Sequence, residues 1–292
     1  MTLFHQGELL FAKEHSEAAI ALYDRVRDEP LTSTGISNGA SALSYRSWIL
    51  WHLGYPDQAL KTINEATTLA EELARPDSLA FALGYACYIR CWRREVQPLE
   101  ELATRNIALC SEYGLASFLA TAKLNMGWVM AARGQGAEGT TLLAENHKSL
   151  RAAGFKMTGP TNLAMLADAS LTAGCFDEGL QAVSEALAVA DAQEEHLSTA
   201  ELHRLRGELL LGQDPLKIAE PQSCFQRAIE IARSQSAKSF ELRAMTSLAR
   251  LLARQGRREE ARAMLAEVYG WFTEGFDTAD LKQAKALLNQ LA

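Results

Sequence analysis

The sequence predicts an all-α fold: a right-handed solenoid of about seven helical hairpins (an α–α superhelix) closed by a C-terminal capping helix. Three observations carry this. First, a small–x3–large–x2–small pattern anchored at Ala59, Ile63 and Ala66 recurs at a near-constant step. Steps of 40 residues give Ala19/Tyr23/Val26, Leu99/Ala103/Asn106, Gly139/Leu143/Asn146 and Gly179/Val183/Ala186; a step of 42 gives Pro221/Phe225/Ala228, and a last step of 40 gives Ala261/Leu265/Val268. A fixed period in this range marks stacked repeats, each a supersecondary unit that buries its apolar face only against its neighbours. Second, the seven prolines (Pro30, Pro56, Pro76, Pro98, Pro160, Pro215, Pro221) all fall between expected helices or in a first turn, the places a helix tolerates proline. Third, no stretch alternates apolar and polar residues with β-branched enrichment, so no strand is expected.

The units follow in order along a single module, residues 1–292. The first, roughly 1–30, is incomplete: Met1 to Lys13 supplies the end of one helix, with Gly7 twelve residues before Ala19, and Glu17 to Arg27 its partner. A missing turn and the poorly capping start Met1-Thr2-Leu3-Phe4 suggest a chain cut from something longer. Pro30-Leu31-Thr32-Ser33-Thr34-Gly35 is a loop with turn chemistry at both ends. Unit two, 36–74, pairs Ile36–Leu53 with Pro56–Ala74; unit three, 77–113, pairs Leu79–Arg94 with Pro98–Tyr113, with Gly114 a candidate C-cap. Units four and five occupy 115–153 and 159–192, with Gly154 closing the former. Unit six, 197–235, carries its two extra residues in the connector Gly212-Gln213-Asp214-Pro215. Unit seven is 238–272, and the capping helix spans 278–291, opened by Asp277 or Thr278.

Composition narrows the function. An apolar fraction of 48% and a charged fraction of 22% are ordinary for a globular chain. A formal charge of −7 argues against direct nucleic-acid binding. No run approaches the roughly 18 apolar residues that span a bilayer. The start lacks a cleavage site and is not expected to be a signal peptide. Cys87, Cys91, Cys110, Cys175 and Cys224 show no framework spacing and lie within expected helices, which fits reduced thiols in a cytoplasm.

The spacing Leu43, Ser47, Leu50, Ala59, Ile63 in unit two and Gly207, Leu210, Phe225, Ala228 in unit six resembles the tetratricopeptide pattern, whose unit is a helix–turn–helix of about 34 residues. This chain departs from it in its longer period and its mostly missing consensus tyrosines; longer helices account for both. A narrower resemblance rests on Ala200-Glu201-Leu202-His203-Arg204-Leu205-Arg206-Gly207-Glu208-Leu209-Leu210, on Ala237-Lys238-Ser239-Phe240-Glu241-Leu242-Arg243-Ala244, and on Val268-Tyr269-Gly270-Trp271-Phe272-Thr273-Glu274-Gly275-Phe276-Asp277-Thr278. These look like the C-terminal tetratricopeptide region of large bacterial signalling proteins that carry a class III nucleotide cyclase domain and a predicted ATPase domain upstream. The resemblance covers residues 20–292 and implies a regulatory solenoid whose catalysis belongs to domains absent from this chain.

Candidate chemistry is sparse. Gly134-Gln135-Gly136-Ala137-Glu138-Gly139 matches G-x-G-x-x-G, but a helix precedes it where a dinucleotide site needs a strand, and Gly139 sits on the small repeat position; it reads as a turn. Cys87 and Cys91 share a helix face without the second pair a structural zinc site requires, and read as buried thiols. His196 and His203, near Glu194, Glu195 and Glu201, read as a solvated helix face. Neither a cofactor nor a metal is implied, and the chain is not expected to be an enzyme.

Binding potential concentrates on the first helix of each unit. Steps of 40 from Trp48 give Tyr88 and Trp128; Trp51 and Trp92 lie one turn further along the same helices. In tetratricopeptide-like units this position faces the concave groove, where an aromatic stripe anchors an extended or helical segment. Rings packed between neighbouring helices are the competing reading. Continuing the step gives Asp168, Glu208 and Arg250, so the expected groove changes from aromatic to charged. Arg243, Arg250, Arg254, Arg257, Arg258 and Arg262 make the last unit locally basic, a face that Glu259 and Glu260 balance. The function expected is a non-catalytic protein-interaction and regulatory module of a bacterial signalling protein, taking a partner segment, or its own upstream cyclase or ATPase domains, in that groove. Two alternatives stay open: a small-molecule effector-sensing domain of a transcriptional or cyclase regulator, and a fragment contributing to cyclase or ATPase activity supplied by upstream domains.

Overall fold

The computed structural model describes residues 3–29, 35–155 and 157–292. The expected loop at 30–34 and the chain start at 1–2 lie outside the described residues. Sixteen helices and no strand occur among the described residues. Twelve of the helices form six hairpins: α4 (Asn38–His52) with α5 (Pro56–Glu72), α6 (Pro76–Trp92) with α7 (Val96–Tyr113), α8 (Ala116–Ala132) with α9 (Gly136–Ala152), α10 (Gly159–Ala173) with α11 (Phe176–Gln193), α12 (Thr199–Gln213) with α13 (Ala219–Ser234), and α14 (Lys238–Arg254) with α15 (Arg258–Tyr269). The capping helix is α16 (Ala279–Leu291), which buries Leu281, Ala284, Leu287 and Leu291 and packs on α14 and α15. The chain is therefore an all-α, tetratricopeptide-like solenoid.

The period of 40 resolves into half-periods of 20. Left-handed residues end the first helices at Gly54, Arg94, Gly134, Gly174 and Gly256, and the second helices at Ala74, Gly114, Gly154, Glu194 and Ser236. At eight of these ten stops the chain reverses through a six-to-one hydrogen bond, as from Glu95 N–H to Arg90 C=O (3.0 Å), Leu115 to Cys110 (2.9 Å) and Cys175 to Ser170 (2.9 Å). This is the Schellman closure that satisfies the last carbonyls of a helix. The connector after α12 departs, as does the end of α15 at Gly270 (φ −66): Asp214 is extended (φ −144) and the two extra residues are absorbed without an αL stop.

The repeated apolar triplets are the hairpin seams. Ala59, Ile63 and Ala66 are buried in α5, as are Ala261, Leu265 and Val268 in α15. A small residue on the first helix receives the large one on the second. A β-carbon added at Gly207 would stand 2.5 Å from the Phe225 ring, and one added at Gly127 would stand 2.8 Å from Gly139 O.

The first unit does not fold as the expected hairpin. After α1 (Leu3–Gln6) and the left-handed Gly7, α2 (Leu9–Leu22) runs straight through Lys13–Ser16, where the register puts a turn, and a break at Tyr23–Asp24 precedes the short α3 (Arg25–Asp28). Lys13-Glu14-His15-Ser16 lacks the glycine that stands in the corresponding turns at Gly54, Gly134 and Gly174, although Arg94 makes the same left-handed turn without one. Ala19 and Val26 consequently stand exposed at positions that are buried in α5 and α15.

By internal packing the chain comprises two compact units. One holds residues 10–51 and 56–157. The other holds the described part of 1–9 together with 52–55 and 158–292. Within the latter, Phe4 lies edge-on to His52 (5.7 Å) and His52 edge-on to Phe240 (5.0 Å), while Leu197 N–H donates to His5 C=O (3.1 Å). A β-carbon at Gly54 would meet the Trp271 ring at 2.6 Å, so that turn needs glycine for both its φ of 93 and its closeness.

Candidate functional site

The aromatic half of the expected surface lies in the unit formed by 10–51 and 56–157. The rings come together, but inside: Trp48 is 0 %, Trp51 2 %, Tyr88 2 %, Trp92 7 % and Trp128 4 % exposed. Trp48 stacks on Tyr85 (4.1 Å, 29°), meets Tyr88 and Trp92 edge-on (4.8 and 5.0 Å), and donates its indole N–H to Tyr85 C=O (3.1 Å). Trp51 stacks on Trp92 (4.8 Å, 28°). Trp128 carries the Arg94 guanidinium 5.6 Å over its ring. First helices pack on the next first helix as well as on their own partners, as α6 does on α8. Every residue of α6 from Ala82 to Ile89 is buried. A large ring on such a helix is caught between neighbours, as aromatic area favours.

The accessible aromatic surface is one row further toward the helix starts. Tyr45, Phe81 and Phe118 are half-buried and form a chain across α4, α6 and α8, with centroids 6.2 Å apart for the first pair and 6.4 Å for the second. Tyr85 joins this rim to the buried rings, 5.2 Å from Tyr45 and 4.5 Å from Phe81. The sequence reasoning missed this row because its spacing is not the repeat step. An aromatic residue in the first half of three successive first helices is the signal that finds it.

The charged half lies in the other unit. Glu208 accepts from Ser247 Oγ (2.5 Å) and faces Arg204 Nη1 (3.6 Å) and Arg250 Nη1 (4.0 Å). Arg204 pairs bidentately with Glu201, at 2.8 and 2.9 Å, and Arg243 bridges Glu201 (3.2 Å) and Asp280 (2.8 Å). Burial alone would lower the Arg204 pKa; the Glu201, Glu208 and Asp168 carboxylates outweigh it and hold the guanidinium charged. Asp168, Glu208 and Arg250 thus sit on one network whose core, Glu201, Arg204 and Arg243, is buried. These core members were not singled out as site residues, yet Arg243 follows Glu201 by the same 42 residues that relate Arg250 to Glu208. Opposite charges in one register of adjacent helices are the readable signal.

The remaining motifs are structural. Gly134 is the left-handed stop of α8, and Gly139 meets Gly127 across the α8–α9 seam. Cys87 and Cys91 are buried and form no disulfide, and burial pushes the Cys87 thiol well up. Among the described residues no group of three or more His, Cys, Asp or Glu is placed to hold a metal ion, and no helix is long and apolar enough to cross a membrane. Arg257 is paired with Glu260 and Arg258 donates to Gln290 C=O, so part of the basic face is tied down locally.

Stacked hairpins, an aromatic bed and a charged register together define a tetratricopeptide-like helical-repeat protein. The chain is similar in fold to the Rap protein solved in complex with Competence and Sporulation Factor, with a TM-score of 0.66 at 13% identity over 99% of this chain and 74% of that one. It is similar also to the apo form of RapI (0.57, 11% identity, 99% and 95%) and to yeast Tom70 (0.52, 13%, 97% and 58%). By sequence the chain belongs to the family described as Anaphase-promoting complex subunit 5, whose model matches residues 10–91, 141–205 and 220–292. Among curated proteins, R02095 of Rhizobium meliloti (strain 1021) is 25% identical over 252 residues, 85% of this chain. The match spans 24% of that protein's length.

Proposed function

We propose that residues 1–292 work as one non-catalytic interaction and regulatory module that takes a segment of a protein partner on its first helices. The observation that carries this is the Tyr45–Phe81–Phe118 row. Half-exposed rings on a rigid bed of Trp48, Tyr85, Tyr88 and Trp92 offer large apolar area at little entropic cost, the usual anchor of a binding surface. Trp51 and Trp128 extend the bed; Asp168, Glu208 and Arg250 supply the polar determinants, with Arg250 the most accessible of them. Support comes from the fold neighbour solved with Competence and Sporulation Factor and from a family named for a subunit of a complex. The Rhizobium relative supports reading the module as bacterial, and the similarity to a STAND protein with a tetratricopeptide repeat sensor from Pyrococcus horikoshii (TM-score 0.51) supports reading its role as cytoplasmic signalling. An upstream ATPase or cyclase domain is then the natural recipient of the signal.

The test is affinity capture with the full chain and with Tyr45→Ala, Phe81→Ala and Phe118→Ala. Each variant keeps its helical circular dichroism and loses about 1–2 kcal/mol of partner affinity. Trp48→Ala instead loses about 3–5 kcal/mol of stability, because it empties a buried site. Rim variants that capture the partner as well as the parent remove the reading. So does ATP or cyclase turnover by the isolated chain that a point change within it abolishes.

A further inference from the structure

We propose that the cleft between α5, α6 and α7 binds a small organic anion with an apolar body, an aliphatic or aromatic carboxylate or sulfonate. The cleft lies wholly within the unit of 10–51 and 56–157. Its volume is 490 Å³, inside the span of about 300–1,000 Å³ usual for ligand sites. Ile63 and Ala86 line it and are buried, while Pro98 and Leu102 add half-buried apolar area. Thr67 of α5 and Arg90 of α6 complete the part that matters here, and both are half-buried. An apolar lining with a few converging polar groups is the composition of a small-molecule site.

The repeat shows why space is left at this hairpin. Steps of 40 from Ala86 reach Arg46, Met126, Leu166 and Arg206, and steps of 40 from Thr67 reach Ile107, His147 and Leu187. Every one of these side chains is larger, so Ala86 and Thr67 leave empty a volume that the other units have atoms to fill. One turn beyond Ala86 the substitution runs the other way. Leu50, Met130, Ser170 and Leu210 are uncharged where α6 places Arg90. A guanidinium thus takes a position of mainly apolar register, at the hairpin whose neighbouring side chains are small. Burying such a group is costly unless an anion answers it.

The answer within the chain is partial. Arg90 Nη1 donates to Glu95, and Glu95 also accepts from Arg93 Nε (2.8 Å). Burial alone would raise the Glu95 pKa; the Arg90 and Arg93 guanidiniums outweigh it and hold the carboxyl below its usual range. One negative charge therefore serves two cations. Arg93 is buried and has further acceptors in Pro56 C=O (3.0 Å) and Asp57 (3.1 Å), whereas Arg90 has its share of Glu95 and the cleft. The carboxylates that line the cleft stand at its rim: Glu101 is exposed, and Glu71 is exposed and tied to Arg105 (2.6 Å). The least exposed charge on the cleft is thus positive, and charges pair more strongly as water is withdrawn from them. Arg90 also lies nine residues from Phe81, about 180° round α6, so this site is separate from the aromatic row.

The test is fluorescence titration of the full chain with anilinonaphthalene sulfonate, an aromatic monoanion. The expected result is saturable binding with a Kd of about 10–100 μM, reversed by octanoate and not by octylammonium. Thr67→Ile and Ala86→Met, which install the side chains found at Ile107 and Met126, fill the cleft and weaken binding at least tenfold. Thr67 is half-buried, so its variant keeps the circular dichroism and carries the test even where Ala86→Met disturbs folding. Arg90→Leu, which matches Leu50 and Leu210 and leaves Glu95 with Arg93, weakens binding as much and removes the preference for octanoate over octylammonium. No saturable binding up to about 1 mM overturns the proposal. Binding that Thr67→Ile and Arg90→Leu both leave unchanged puts the probe elsewhere and overturns the site. Displacement from the parent by octylammonium as readily as by octanoate overturns the anion.

Discussion

Gly134 and Gly139 lie five residues apart and resist substitution for different physical reasons. A β-carbon at Gly134 meets nothing within 4 Å, but the residue holds φ at 89. Gly134→Ala therefore costs only the left-handed strain, about 1 kcal/mol. Gly139 is helical, and a β-carbon there would stand 2.5 Å from Gly127 O, a backbone atom that cannot swing aside. Gly139→Ala gains helix propensity and loses the close crossing of α8 and α9, a net cost of about 2 kcal/mol. Urea midpoints of the two variants give the order: Gly139→Ala falls further. At Glu195 the question is protonation. The carboxyl is 2 % exposed with no hydrogen-bond partner for Oε1, and burial pushes its pKa from 4.5 up to about 7 against the pull of the Thr158 N–H. The folded state keeps a proton that the unfolded chain has released. This contribution is intact below pH 4.5 and is lost as pH rises to about 7, by on the order of 3 kcal/mol. Glu195→Gln flattens the dependence, so the parent's denaturation midpoint falls between pH 4.5 and 7.5 more than the variant's does.

At the scale of elements, the charged register of α12, α14 and α16 separates a structural part from an accessible one. Arg243 is 7 % exposed and answers two carboxylates, Glu201 and Asp280. Arg243→Met leaves both carboxylates without that cation and lowers stability by about 3–5 kcal/mol. Arg250 is 42 % exposed at its side chain, and Arg250→Met changes stability by less than about 1 kcal/mol. Chemical denaturation distinguishes them, and equal losses would mean that Glu208 depends on Arg250 as Glu201 depends on Arg243. The hairpins themselves were legible in the residues because proline, glycine and the small–large pair each act locally. Gly207 against Phe225 is visible as a spacing before it is visible as a contact. The first unit was not legible in the same way: the register asked for a turn at Lys13–Ser16, and α2 runs straight through it, while Arg94 turns without glycine at the equivalent place.

Over the whole molecule, periodicity reports register and says little about depth. The step from Trp48 to Tyr88 correctly identifies equivalent positions, and Trp48 does touch Tyr88. What it does not contain is the second packing partner of each first helix, which covers those rings. The accessible row, Tyr45, Phe81 and Phe118, breaks the step because its members reach toward one another across neighbouring helices and do not repeat within each. The charged positions fared differently: Glu208 and Arg250 are in register and approach each other, since a long polar side chain extends past the packed layer that swallows an indole.

The alternating left-handed stops have a further consequence for how this chain can vary in length. Each helix with its stop occupies 20 residues, so adding or removing one residue inside a helix turns everything beyond it by about 100° and takes the small residue off its crossing. The connector from Gln213 to Ile218 lacks such a stop, and the chain carries its surplus there with Leu216 90 % exposed. Growth is thus available as whole pairs of helices along the array, or as loose residues at turns of this kind.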